Sequence, residues 1–318
     1  MHLKGLDLNL LVVLDALLAE KNITRTGERI NLSQSATSGA LARLREFFGD
    51  PLLTQVGQRM ELTPLAEALA KPVRDLILQG EAIIDKNQGF RPETSKRTFR
   101  LNMSDYTAAV VLSRALQRIH QQAPQVRLEI TSVLDEPTTE YLERGHLDLI
   151  VSPSVMTSPN HPSEHLFDDQ LVAVVWAENP IVQQGVSLEA YLAGGHIVAR
   201  FSRTLTWAID EVFLSRAGYQ RRIDVAASSF SMLINQVVGT HLIATIHERF
   251  ARFYAHYFPI RIFPCPVPIP PHEVKLQWHR FHDGDAGIQW LREILREAAD
   301  ELEPLSAGAG GKQDASGK

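Results

Sequence analysis

Residues 32–50 read LSQSATSGALARLREFFGD, and residues 52–64 read LLTQVGQRMELTP. The first stretch has the makings of an amphipathic helix, with Leu41, Leu44, Phe47 and Phe48 set among charges. It begins, however, with a row of short side chains from Ser33 to Gly39. Ser33 suits the N-cap, its hydroxyl accepting from a free backbone N–H near Ser35 or Ala36. Helical spacing puts Ala36, Ala40, Leu41, Leu44, Phe47 and Phe48 on one face, and Ser35, Ser38, Gly39, Ala42 and Arg45 on the other. A helix that is small at its front and carries arginines further back suits insertion into a DNA major groove. Close approach becomes possible, and Gln34, Ser35, Thr37 and Ser38 can bond to base edges or phosphates. The second stretch predicts a two-stranded ribbon turning at Val56–Gly57–Gln58. That places Gln55, Gln58 and Arg59 near the nucleic-acid backbone or the minor groove.

Upstream, Leu10, Leu11, Leu14, Leu17 and Leu18 recur at helical spacing, with Asp7 or Asn9 to cap the start. A short helix, ITRTGERI, follows and carries Thr24 and Arg25 toward the same partner. Three helices and a ribbon make a winged helix-turn-helix. Net charge is −5 overall. Between residues 21 and 45, Lys21, Arg25, Arg29, Arg43 and Arg45 stand against Glu28 alone, a basic island on an acidic chain that fits a local DNA footprint.

The length of 318 residues predicts two or three domains. The single cysteine, Cys265, excludes an internal disulfide framework and a cysteine-rich zinc site. No apolar run approaches the roughly 20 residues that span a bilayer. The N-terminus has no small-residue cleavage site, so a cytoplasmic protein with no membrane partner is expected.

Thr63 and Pro64 open a long helix in the manner of N-cap and N1. Leu65, Leu69, Val73, Leu76, Gly80, Ile83 and Ile84 form a seam for another helix, interrupted by Pro72. The polar run DKNQGFRPETSKR, residues 85–97, marks a hinge.

GLDLNLLV, INLSQSATSGALARLREFFGD and LTPLAEAL resemble the DNA-binding half of LysR-type transcriptional regulators, and most nearly their NodD/NahR-like, aromatic-responsive subgroup. Family members commonly have Pro where Ser35 stands and an apolar residue where Thr37 stands. The resemblance implies that the linker helix pairs with that of a second subunit and sets two reading heads on a two-fold site. It implies homo-oligomers (dimer, then tetramer) and RNA polymerase as a partner when the protein activates.

From Arg97 the pattern alternates strand and helix. RTFRLNMS, VRLEITSV and LDLIVS are strands separated by helices from about Tyr106 to Gln121 and over EPTTEYLERG, which predicts a mostly parallel sheet. A second set follows, from QLVAVVWAEN to IRIFPC, before KLQWHRF and the helix GIQWLREILREAADEL return to the first. This resembles the two-lobed effector domain of LysR-type regulators, itself similar to periplasmic solute-binding proteins, as far as about Glu301. A ligand in such a fold sits in the crevice at strand ends. Candidates are Ser104, Asp105 and Tyr106 after the first strand; Ser202, Arg203 and Thr204 at the equivalent point of the second unit; Phe230 and Ser231 before a later helix; and Thr245 and His247 at a strand end. Arg203 can pair with a carboxylate or phenolate, and Tyr106 and Phe230 can stack on a ring. The resemblance implies a small aromatic effector. The tail LSAGAGGKQDASGK is polar and small, the composition of a disordered segment.

The fold class is α+β multidomain. Residues 1–62 are a winged helix-turn-helix, 63–87 a linker and dimerisation helix, and 88–96 a hinge. Residues 97–302 form an effector domain (lobe 1 about 97–168 and 269–302, lobe 2 about 169–268), with 303–318 a tail. The function expected is a regulator that binds double-stranded DNA in response to its effector, with no enzymatic activity, cofactor or metal. The alternative is a stand-alone small-molecule-binding protein or an enzyme of the two-lobed class. No HExxH, Gly-x-Ser-x-Gly or phosphate loop supports the enzyme. His279 and His282 beside Asp283 and Asp285 read as an exposed polar loop rather than a metal site.

Overall fold

The computed structural model describes residues 6–57, 59–132, 137–201 and 209–306. Gln58, Ser202, Arg203 and Thr204 therefore lie outside the described residues. The chain divides into two compact units, residues 1–89 and 90–318.

In the first unit, α1 (Leu8–Glu20), α2 (Ile23–Arg29) and α3 (Gln34–Phe48) precede an antiparallel ribbon of β1 (Leu53–Val56) and β2 (Arg59–Leu62), then α4 (Pro64–Gln88). Asp7 caps α1 through Asn9 N. All five periodic leucines of α1 are buried with Leu41 and Leu44 of α3 and with Leu52, Leu53, Ala66 and Val73. Gly49 ends α3 in the left-handed region (φ 63°), which a glycine adopts without strain. Asp50 Oδ1 then accepts from Leu52 N (2.7 Å) and Thr63 Oγ1 (2.7 Å), while Thr63 caps α4 through Ala66 N (3.1 Å). One carboxylate thus sets both the entry to the ribbon and the exit from it. The front of α4 packs Leu69 and Val73 on its own unit's core and ties Arg74 to Asp15 (2.8 Å). Leu76, Ile83 and Ile84 remain exposed. The seam read along the whole helix is therefore divided between a self-packed front and an open rear.

The second unit holds two five-stranded sheets. In the first, β3 (Thr98–Met103) pairs in parallel with β4 (Arg127–Thr131) and with β5 (Leu149–Pro153). Beyond β5, β12 (His272–Trp278) pairs antiparallel with β5 and with β6 (Ser163–Asp169). In the second sheet β8 (Gly195–Ala199), β9 (Arg222–Ala227) and β10 (Ile243–His247) are parallel, β7 (Leu171–Trp176) runs against β10, and β11 (Ile260–Pro264) runs against β7 and so in the direction of the other three. In each sheet four strands run one way and a single strand, β12 or β7, runs against them, because one chain segment leaves the first sheet through Gln170 and another returns after β11 in the opposite direction. β6 lacks an apolar run and was not evident in the sequence.

After β3 come α5 (Asp105–Thr107), a π-helical segment (Ala108–Leu112) and α6 (Ser113–Gln122), where one helix was expected. The other helices are α7 (Thr138–Glu143), α8 (Leu188–Ala193), α9 (Ile209–Arg216), α10 (Phe230–Val237), α11 (Glu248–Ala255) and α12 (Ala286–Asp300). α12 covers the first sheet, burying Leu291, Ile294 and Leu295 with Phe99 and Leu101. Asp285 caps it through Gly287 N and Ile288 N and takes both oxygens to Arg97 Nη1 at 2.8 Å. Among the described residues no helix is long and apolar enough to cross a membrane.

Two expectations are corrected here. His279 and His282 are not on an exposed loop. Both are buried, and His279 packs 4.7 Å from the His161 ring and 5.8 Å from His282. The tail's first residues are held: Arg249 Nη1 donates to Glu303 O, Arg252 Nη1 to Pro304 O (3.0 Å) and Arg252 Nη2 to Ser306 Oγ (2.7 Å). Ser306 Oγ donates to the buried Glu248 carboxylate (2.6 Å), and Gln170 Nε2 donates to Ser306 O (3.1 Å). A strap following the last helix of lobe 1 is thereby fastened to α11 of lobe 2.

Candidate functional sites

The helix-turn-helix depends on a close approach. A Cβ on Gly27 would stand 2.7 Å from Leu32 O and 3.1 Å from Thr37 Oγ1. Only glycine lets α2 meet the turn into α3. Thr37 is fully buried there, its hydroxyl donating to Ser33 O (3.0 Å). Its assignment to DNA is therefore corrected: Thr37 is core, and Ala36, expected inside, is exposed. The helical face is rotated because Thr37, not Ala36, falls against Gly27.

Ser33 caps α3 through Ala36 N (3.2 Å) and lies 3.0 Å from Ser35 Oγ. Gln34, Ser35 and Ser38 are exposed, and a Cβ on Gly39 would meet nothing within 4 Å. Thr24, Arg25, Arg43 and Arg59 are also exposed. Arg25 lies 3.2 Å from Glu20, as does Arg29, and Arg43 lies 3.6 Å from Asp7. Those acids sit outside the 21–45 window, so the basic island is weaker than the window suggests. Arg45, also exposed, has partners within the protein. Its Nε donates to Pro51 O (2.8 Å) and its Nη2 to Leu53 O (3.0 Å), so the guanidinium holds the ribbon's entry.

In the second unit, Ser104 caps α5 through Thr107 N (3.2 Å). Asp105 crosses to the other lobe, its carboxylate accepting from Phe230 N (3.2 Å) and Ser231 N (2.7 Å) at the start of α10. Beneath it Tyr106 is buried, stacked on His247 at 3.7 Å and 9°, with Phe230 edge-on at 6.0 Å. The Tyr106 hydroxyl donates to Asp169 Oδ2 (2.7 Å). Ser104, Asp105, Tyr106, Phe230, Ser231 and His247 are thus brought together, and Phe201 adds a ring 5.0 Å from Phe230. Tyr106 and His247 form a floor and already have each other's faces, which corrects the reading of Tyr106 as a free stacking surface. Thr245 is not with them. It bonds the Tyr191 hydroxyl (2.5 Å) and Arg221 Nη1 (3.1 Å) inside lobe 2, where the buried Arg221 also pairs with Asp210.

Burial dominates the electrostatics. It drives the Asp169 carboxyl up to about 6, against the opposing hydrogen bond from Tyr106. Burial and then the Asp169 charge raise the Tyr106 hydroxyl well above its ordinary value. Burial depresses His272 to about 4, and burial followed by His272 depresses His247 well below the usual imidazole range. Asp169 and Arg221 were not singled out in the sequence, where a buried charge looks like any solvated one. Among the described residues no group of three or more His, Cys, Asp or Glu side chains is placed to hold a metal ion.

Residues 8–67 match the bacterial regulatory helix-turn-helix protein, lysR family, and residues 92–300 match the LysR substrate binding domain. Nodulation protein D of Bradyrhizobium sp. (strain ANU 289) is 41% identical over 302 residues, spanning 95% of this chain and 89% of that protein. A full-length OxyR variant from Pseudomonas aeruginosa superposes with a TM-score of 0.72 at 17% identity, over 93% of this chain and 95% of that one. Full-length CbnR complexed with its target DNA superposes with a TM-score of 0.56 at 15% identity, over 92% of this chain and 100% of that one. The two structural likenesses speak for the fold alone. The family match and the nodulation D relative carry the identity: the chain belongs to the LysR family, as a NodD-like transcriptional regulator with an effector-binding domain.

Proposed function

We propose that this regulator reads a two-fold DNA site with α3 in the major groove and the ribbon beside it, in answer to a small aromatic effector held near Asp105, Phe230 and Ser231. Gln34, Ser35 and Ser38 contact base edges, Ser33 and the free N–H groups of α3 a phosphate, and Arg25, Arg43 and Arg59 the backbone. Residues 1–62 are the reading head, 63–87 the linker and 97–302 the effector domain. Paired copies of α4, joined along Leu76, Ile83 and Ile84, space two heads. The protein works in the cytoplasm as a homo-oligomer without catalysis, and contacts RNA polymerase when it activates. Effector binding changes the lobes' closure, and its differential affinity for the two arrangements shifts the reading heads.

The carrying observation is the exposed, small front of α3, with open space over Gly39. CbnR, of similar fold, is known with its target DNA, which supports the docking. The test is a salt-series gel shift on the DNA upstream of the protein's own gene, with and without a panel of aromatic compounds. Specific binding that strengthens at low salt and is altered by one compound is expected. A folded protein with no specific binding at any salt would overturn the reading.

A further inference from the structure

The polar run 85–97 is built into lobe 1 before it ends. Gly89 follows α4 at φ 61°, a backbone that a glycine adopts without strain. Phe90 comes next, and a tight helical turn (Pro92–Thr94) folds the chain back, Ser95 N donating to Arg91 O at 3.0 Å. The Phe90 ring thereby lies 5.9 Å from Phe99 of β3 and 5.1 Å from Trp290 of α12.

The seat beneath that ring is made by a glycine. A Cβ on Gly287, in the first turn of α12, would stand 3.0 Å from Phe90 Cδ2, 3.2 Å from Phe99 Cζ and 2.9 Å from Arg97 Nη1. Three side chains thus converge on one bare stretch of backbone, packed as closely as a protein interior allows. Arg97 lies over the Phe99 ring at 4.7 Å. It gives Nη1 to both oxygens of Asp285 at 2.8 Å and Nη2 to Asp148 Oδ1 at 3.4 Å. Asp285 caps α12, and Asp148 immediately precedes β5. Phe90 is therefore clasped where β3, β5 and α12 begin or end together, within lobe 1.

β3 joins this clasp to the effector cleft. Phe99, near its start, is fully buried, and the strand is hydrogen-bonded on both edges, to β4 and to β5. Past its last residue, Met103, the chain reaches Asp105, whose carboxylate accepts from Phe230 N and Ser231 N of lobe 2. One stiff element thus has the contact between the lobes at one end and the Phe90 clasp at the other, the physical form that coupling between distant sites requires.

We propose that Phe90 is a positioning residue of the regulator: its clasp carries to the end of α4 the rearrangement that begins at the contact of Asp105 with α10. The proposal rests on the reading in which the lobes' closure is the signal. Phe90 touches neither effector nor DNA and acts through Gly287, Phe99 and β3.

The test is a double-mutant cycle in the full-length protein, read by hydrogen–deuterium exchange without DNA or effector. Asp105→Ala frees the lobes and should change exchange in peptides covering residues 80–90 by about fivefold or more, the lower end of usual coupling between sites. In the Phe90→Ala background the same substitution should move those peptides by less than about twofold, the additivity of uncoupled positions. Peptides from the start of α10 should respond to Asp105→Ala in both backgrounds. Gly287→Ala, which keeps the ring but fills its seat, should behave as Phe90→Ala does, and Phe90→Leu should restore part of the coupling. A structural role alone would lower the melt of Phe90→Ala and leave the coupling in place. Equal responses of residues 80–90 in both backgrounds would overturn the proposal, as would no response in either. Operator gel shifts on the same proteins report separately on the regulator reading: its failure there leaves the exchange cycle to decide the clasp.

Discussion

The Asp105 carboxylate occupies the N-terminus of α10, accepting from Phe230 N at 3.2 Å and Ser231 N at 2.7 Å. Phe230 and Ser231 are themselves candidate effector residues in the sequence. Lobe 1 thus supplies its own anion to a helix terminus of lobe 2, and the bond draws the two lobes together. Removing it should loosen them. Asp105→Ala should lower stability by about 1 kcal/mol, the usual scale of an N-terminal cap, and change the effector dependence of the operator gel shift. Asp105→Asn, which keeps an acceptor but loses the charge, should lie between. Urea unfolding and dose–response gel shifts check both; an unaltered dose–response in Asp105→Ala would contradict the latch.

Stability should respond to pH through opposed buried groups in the second unit. Asp169 has its folded pKa raised to about 6 from 3.8 by burial, so the fold takes up a proton there that the unfolded chain does not. Its contribution is fully present below about 4 and is lost as pH rises toward 6. His272 and His196, both depressed to about 4 from 6.5 by burial, act oppositely, losing stability as pH falls from about 6.5 to 4. Asp169→Asn should leave the histidines unopposed. Its urea midpoint should then fall more steeply than the wild type's between pH 6 and 4, and an unchanged slope would refute the assignment.

Gly27 and Gly39 should separate folding from reading. Gly27→Ala forces a Cβ to 2.7 Å from Leu32 O, a backbone atom that cannot step aside. It should cost about 1–3 kcal/mol, the scale of overpacking, and abolish operator binding. Gly39→Ala has open space and should hold or slightly raise stability. If α3 enters the groove closely, operator affinity should still drop. Thermal melts alongside gel shifts distinguish the two, and full affinity in Gly39→Ala would place that face away from DNA.

Two arginines should fail in different ways. Arg45→Ala should lower both stability and operator affinity, with Arg45→Lys a poor rescue, because the fork reaches two carbonyls, Pro51 O and Leu53 O. Arg59→Ala, at an exposed position on β2, should leave the melt unchanged and reduce the salt slope of binding by about one. A reduced slope in Arg45→Ala with an unchanged melt would return Arg45 to the phosphates.

Much of the local structure is legible without tertiary information. The N-caps Asp7, Ser33 and Thr63, the proline at N1 of α4 and the ribbon's turn at Gly57 are short-range chemistry, decided by a few neighbouring residues. The leucine spacing of α1 named its buried face for the same reason. β6, α8 and α11 escaped notice because their burial is set by elements distant in sequence rather than by a strong period of their own.

Linear pattern was thus enough to specify the helix-turn-helix with its ribbon, the long helix α4 and the order of most later strands and helices. Each rests on periodicity, capping or the resemblance those patterns carry. What each polar side chain is for was settled by packing in three dimensions. Thr37 became core because Gly27 meets it, Arg45 a clamp because two carbonyls converge on it, and Asp105 a latch because α10 begins opposite it. A charge or hydroxyl has the same letter whether water, DNA or the protein's own backbone satisfies it. Its partner is chosen by long-range packing, which one-dimensional pattern does not carry.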